Sequence, residues 1–161
     1  MRKMMLVAVA LAALTAQAQA DWKPLISMAS DKVCAMTSSD PQTKVTAILG
    51  ATRYESGKRE IQLRLTPDFG VTLPGGKVVV QVDGRTVYTG EGTQLHGQYE
   101  DGMLAVDMQP ADLVAIMQAS GGTASHLMTI TLSDGSTSRY ETALSAMSAY
   151  MAMGSCIKQT L

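Results

Sequence analysis

Aromatic side chains are scarce in this 161-residue chain: one Trp, one Phe and five Tyr. So little ring surface leaves a core to be filled by other means, and nine methionines after residue 20 are the evident filler. Positive charge is short as well, with 13 Lys and Arg against 14 Asp and Glu. That balance excludes a nucleic-acid partner, which requires a basic surface to displace phosphate counterions. Lys58-Arg59 is the nearest approach to a basic cluster, so a polybasic membrane-binding segment is missing too. Only two histidines are present, His96 and His126, in no HxxxH or HExxH spacing. No GxSxG elbow occurs, and "LPGGK" lacks the hydroxyl residue and spacing of a phosphate loop. The chain is therefore expected to be no enzyme and to need no cofactor or metal.

What is present begins with an export pattern. Arg2 and Lys3 precede an apolar run from Leu6 to Ala16, and Ala18-Gln19-Ala20 supplies the small residues that signal peptidase requires. The run is short for the roughly 20 residues of a spanning helix. Residues 1–20 are thus expected to be a secretory signal peptide, and 21–161 a single exported β-rich domain, periplasmic or secreted, with no transmembrane segment after cleavage. The 141 residues left suit one core. Their 11 basic and 14 acidic residues make the domain mildly acidic.

Period-2 patterning dominates this domain. "REIQLRLT" places Ile61, Leu63 and Leu65 on one face and Gln62 and Arg64 on the other, and Val45, Ala47 and Leu49 alternate likewise. Asp83-Gly84 and Asp134-Gly135 each lie between strand-like runs as two-residue hairpin signals. "TSSDPQTK", residues 37–44, offers side-chain-to-backbone hydrogen bonds and reads as a loop. Seven or so short strands are counted. Pro110, Asp112, the stripe Leu113, Ile116 and Met117, and the stop at Gly121-Gly122 predict one helix. A second is predicted over 143–153, with Leu144, Met147 and Met151 against the sheet and Gly154 as its cap. The fold class is mainly β: a single antiparallel β-sandwich-like domain with two short covering helices.

Cys34 and Cys156 are the two cysteines, and in an oxidising compartment they permit one intramolecular pairing, which would pin the C-terminus. A catalytic thiol would need a base to lower its pKa, with only His96 and His126 to serve. Met147, Met151 and Met153 are of the type that ligates Cu(I). Their spacing also suits core packing, which is the expectation adopted. Asp83, Asp101 and Asp134 each precede Gly and are expected to close turns.

From Ile61 to Cys156 the order of segments resembles the invasion-associated locus B family of exported bacterial proteins. The residues that carry it are "REIQLRLTPDFGVTLPGGKVVVQVDGRTVYTG", the "PADLVAIMQASGG" helix and "MTITLSDGSTSRYETALSAMSAYMAMGSC". Val71-Thr72-Leu73-Pro74-Gly75-Gly76 is the best match, and Trp22 fits the family's N-terminal tryptophan. The family often has further cysteines near that Trp, whereas the only early one here is Cys34. The resemblance implies an envelope or secreted accessory protein of a Gram-negative bacterium, with no catalytic residues to carry over. The functional expectation is a non-enzymatic protein-binding module whose partner is another envelope or secreted protein. Trp22, Tyr88, His96 and Tyr99 are its expected recognition residues, because aromatics concentrate in interface hot spots. The alternative is a periplasmic inhibitor or immunity-type protein acting on a hydrolase through the loop "TGEGTQLHGQYEDG".

Overall fold

The computed structural model describes residues 22–142 and 144–160. The expected signal peptide and Ala143, the expected first residue of the second helix, lie outside them. Nine strands form among the described residues, most of them from alternating apolar and polar residues: β1 Lys23–Met28, β2 Lys32–Ser39, β3 Thr46–Arg53, β4 Arg59–Thr66, β5 Gly76–Val82, β6 Arg85–Gln94, β7 Leu104–Asp107, β8 His126–Thr131 and β9 Thr137–Thr142. Two helices, α1 Pro110–Ser120 and α2 Leu144–Thr160, complete the set. All neighbours are antiparallel, in the order β1-β2-β3-β4-β7-β6-β5-β8-β9. The protein is mainly β and sandwich-like, as its patterning predicts.

Register aligns the buried residues in rows across the sheet. Met36 pairs with Leu49, Leu49 with Leu63, and Leu63 with Val106. Farther on, Tyr88 pairs with Val80 and Val80 with Ile130. These residues share one core, so the sheet bends around its inner face and brings its edge strands back toward each other. Trp22, just before β1, packs on Tyr140 of β9 with ring centroids 5.8 Å apart. Asp40, in the β2–β3 loop, completes the closure. Its carboxylate accepts the Arg139 amide of β9 at 2.9 Å, the Gln42 amide at 2.8 Å and the Thr43 hydroxyl at 2.9 Å.

The helices close the core from the remaining side. Pro110 opens α1, the Asp112 carboxylate accepts the Gln109 amide at 2.8 Å as a capping box, and Leu113 and Ile116 are buried. α2 departs from expectation in two respects. It is 17 residues long and runs through Gly154 to Thr160, because the Cys156 cross-link and the Arg53 hydrogen bond to Thr160 anchor the chain beyond that glycine. Its buried face is Ala146, Ala149, Tyr150, Met153 and Cys156, whereas Met147 and Met151 are 38% and 65% exposed. The physical reason is the cross-link. Cys34 and Cys156 form a disulfide with Cα atoms 5.5 Å apart, which sets the helix phase so that 149, 153, 156 and 160 face the sheet and 147 and 151 face away. Arg53 donates to the Thr160 carbonyl at 3.1 Å, holding the helix end. Among the described residues, no helix is long and apolar enough to cross a membrane.

Candidate interaction surface

Two of the four expected recognition residues are structural. Trp22 is 2% exposed, sealed between β9 and the start of β1. Tyr88 is 9% exposed: its ring covers Gly90, where a Cβ would overlap it, and its hydroxyl donates to the Asp107 carbonyl at 3.0 Å. Burial pushes this hydroxyl's pKa up. A partner can reach neither side chain, so Trp22 and Tyr88 are not recognition residues: in a core this poor in rings, both aromatics are packing material. His96 and Tyr99, in contrast, stand in the exposed β6–β7 loop, Tyr99 with 82% of its surface free.

The residue that the recognition expectation omits is Phe69. The one phenylalanine of the chain is fully exposed, at 103% of its reference surface, on the connection from β4 to β5. Its position follows from topology. β4 pairs with β7 and β5 lies beyond β6, so residues 67–75 must cross the sheet end over two strands. A turn closed by the Val71 amide on the Asp68 carbonyl at 3.1 Å carries Phe69 outward. Asp-Phe-Gly at a turn tip after Pro67 was the available signal for this exposure.

The crossover and the β6–β7 loop brace each other. Leu73 donates its amide to the Gly102 carbonyl at 3.0 Å, and Gln94 donates its side-chain amide to the Leu73 carbonyl at 2.7 Å. Gly102 has φ +84°, and its missing Cβ leaves room for the Val71 carbonyl, so this site requires glycine twice over. Within the second loop, Glu100 and Met103 amides bond to the Gly97 and Glu100 carbonyls at 3.2 and 3.0 Å, and Asp101 accepts the Gly97 amide at 3.1 Å. Phe69, Val71, His96 and Tyr99 are all exposed on these paired loops. Carboxylates flank them: Asp68 lies 3.6 Å from Lys44 and Glu100 lies 3.6 Å from Arg64.

Two depressions lie elsewhere. On the outer face, Leu25, Val33, Ile48 and Gly50 floor a groove of about 300 Å³ walled by Tyr54, Glu60, Gln62 and Arg64. Its polar groups are engaged with one another. Tyr54 donates to Glu60 at 2.6 Å, Arg64 to Gln62 at 2.9 Å and Gln62 to Asp107 at 2.7 Å. Lys58 and the Tyr54 hydroxyl hold Glu60 below the usual carboxylate range. A second cleft, of about 640 Å³, opens where β4 starts and α1 begins, with Ile61, Met108, Pro110 and Ile157 among its lining and Lys58 and Arg59 beside them.

The remaining sequence candidates are accounted for locally. Asp83 binds the His126 ring at 2.7 Å and the Leu127 amide at 2.9 Å, tying the β5–β6 turn to β8; the His126 contact chiefly holds its pKa low. Asp134 accepts the Ser136 amide and hydroxyl at 2.9 and 2.6 Å. All three Asp-Gly carboxylates thus close turns or fasten them. Among the described residues, no group of three His, Cys, Asp or Glu side chains is placed to hold a metal ion. No family model matches the chain, and no curated protein or solved structure does either.

Proposed function

We propose that this protein is an exported, non-enzymatic binding module of the bacterial envelope that engages another envelope or secreted protein through the loop end carrying Phe69, Val71, His96 and Tyr99. The single observation that carries the reading is the full exposure of the only phenylalanine in a chain otherwise short of rings. Phenylalanine and tyrosine are enriched in interfaces, and an exposed apolar group rimmed by polar residues is typical of protein-protein contact. The mutual bracing of the two loops lowers the ordering cost of binding. The Cys34–Cys156 disulfide suits an oxidising compartment, and the resemblance to the invasion-associated locus B family points the same way.

The alternative, an inhibitor of an envelope hydrolase, draws on the same rigid projecting loops. The deciding experiment captures partners from an envelope extract with the wild-type protein and with Phe69→Ser and Tyr99→Ser, followed by assay of the captured protein. Each substitution is expected to weaken capture at least about tenfold, as hot-spot truncations do, with thermal stability unchanged. A captured hydrolase that the protein silences would favour the inhibitor. Turnover of a peptide, ester or peptidoglycan substrate by the purified protein, abolished by Asp101→Asn or His126→Ala, would overturn the non-enzymatic reading.

A further inference from the structure

Phe69 and the cleft of about 640 Å³ stand at opposite ends of one strand. β4 begins at Arg59, on the cleft, and ends at Thr66, three residues before Phe69. Eight residues of extended chain separate them by about 25 Å. The cleft is within the size range of sites that take a compact organic group, and Ile61, Met108, Pro110 and Ile157 give it an apolar lining. On its rim Lys58 is bound to Glu60, and Asp107 is hydrogen-bonded to Gln62. Arg59 is exposed and enters no ion pair among the described residues. At the other end, Asp68 adjoins Phe69. Its pair with Lys44 spans 3.6 Å between side chains 58% and 68% exposed, a contact that water largely screens and that leaves the carboxylate available.

We infer that the cleft receives Phe69 of a second copy of this chain, with the Asp68 carboxylate of that copy set against Arg59. This inference rests on the reading of the loop end as a recognition surface and names the protein that first occupies it. An anionic bilayer is disfavoured as the occupant because Asp68, Glu100 and Asp101 flank the aromatic residues. With 11 basic and 14 acidic residues after residue 20, the domain is only mildly acidic, so the general repulsion between copies is modest. Plug and socket lie on different surfaces of the molecule, which makes the contact head-to-tail. Each copy can fill a socket and have its own filled, and copies add in file unless the rotation closes a ring.

Sedimentation velocity over a concentration series tests this. The wild-type protein is expected to gain mass with concentration through dimer to longer species. Phe69→Ser should raise the dissociation constant at least tenfold, and Arg59→Glu at least threefold. Combining Asp68→Arg with Arg59→Glu should regain most of the loss. The distinguishing measurement is a mixture of Phe69→Ser, which keeps its socket, with Ile157→Glu, which keeps its plug. Each should be monomeric alone, and the mixture should form dimers and stop there. Should Ile157→Glu not fold, Pro110→Glu, at an exposed position lining the cleft, takes its place in the mixture. A wild-type protein that stays monomeric at every soluble concentration overturns the inference, as does association indifferent to Phe69→Ser or a mixture that remains monomeric. If Phe69→Ser abolishes capture of an envelope protein while the wild type never self-associates, the recognition surface stands and its assignment to a second copy falls. If neither capture nor association responds, both fall.

Discussion

Removing the Asp40 carboxylate would strand three donors at once: the amides of Gln42 and Arg139 and the Thr43 hydroxyl. Asp40 is 4% exposed, so water cannot readily take over, and Asp40→Ala is expected to destabilise the protein by about 2 to 4 kcal/mol in urea unfolding at pH 7. Burial alone would raise this carboxyl's pKa, but the Arg139 and Gln42 amides and the Thr43 hydroxyl outweigh it and hold it low. A folded pKa below the unfolded one means the stabilisation is complete above about pH 4 and disappears as the pH falls through the lowered folded value. The gap between wild type and Asp40→Ala should therefore narrow in acid, and a gap that stayed constant to pH 2 would contradict this account. The alkaline side works in the opposite sense. Burial pushes Tyr140 up and Tyr150 up to about 12, so their contribution holds below about pH 10 and is lost above it. Much of Asp40's role was legible: Ser, Asp and Thr around Pro41 announce side-chain-to-backbone bonding. Its acceptance of an amide from β9, 99 residues away, was not. The turn residues around Phe69 signalled its exposure, but the burial of Trp22 and Tyr88 was hidden, because a ring outside a clear apolar rhythm carries no signal of which way it faces.

Strands show how far periodicity reaches. β3 to β9 were readable from alternation and Asp-Gly turns, since one face of each is buried. β1 was not, for its six residues read almost uniformly exposed, and an edge strand lying mostly in water has no apolar rhythm to detect. α2 presents the opposite difficulty, with apolar residues on both sides. Leu144, Met147 and Met151 formed a plausible stripe, but the disulfide selects the other. Met153, with no exposed surface, is the methionine that matters. Met153→Ala is expected to cost about 2 to 5 kcal/mol, whereas Met147→Leu and Met151→Leu should each lie within about 0.5 kcal/mol of wild type. Denaturant midpoints measured in parallel check the ranking, and a large loss at Met151 with none at Met153 would reverse the helix phase described above. Gly154 was misread as a cap because glycine often terminates helices, yet here the tertiary anchors at Cys156 and Thr160 draw the helix onward.

For the molecule as a whole, the Cys34–Cys156 bond encloses a sequence separation of 122 residues. The chain-entropy account gives such a loop about 4 to 5 kcal/mol at most, and losing a native disulfide from a small domain commonly costs about 2 to 5 kcal/mol. Cys34→Ser is expected to fall in that range by urea unfolding, and a mass measurement finding two free thiols in envelope-derived protein would remove the premise. The pairing itself was foreseeable from a count of two. Foreseeing that it would fix which methionines are buried required the position of α2 on β1 and β2. The same bond also governs how the molecule bears tension. A force applied between Trp22 and Thr160 enters at β1 and the first residues of β2, crosses the two sulfurs and leaves through the last turn of α2. Everything from β3 to β9 hangs outside the line of pull. Stretched in its oxidised form, the protein should surrender only its short tails. After reduction, the same measurement should release a further length of roughly 400 Å, the contour of the chain that the bond had kept slack.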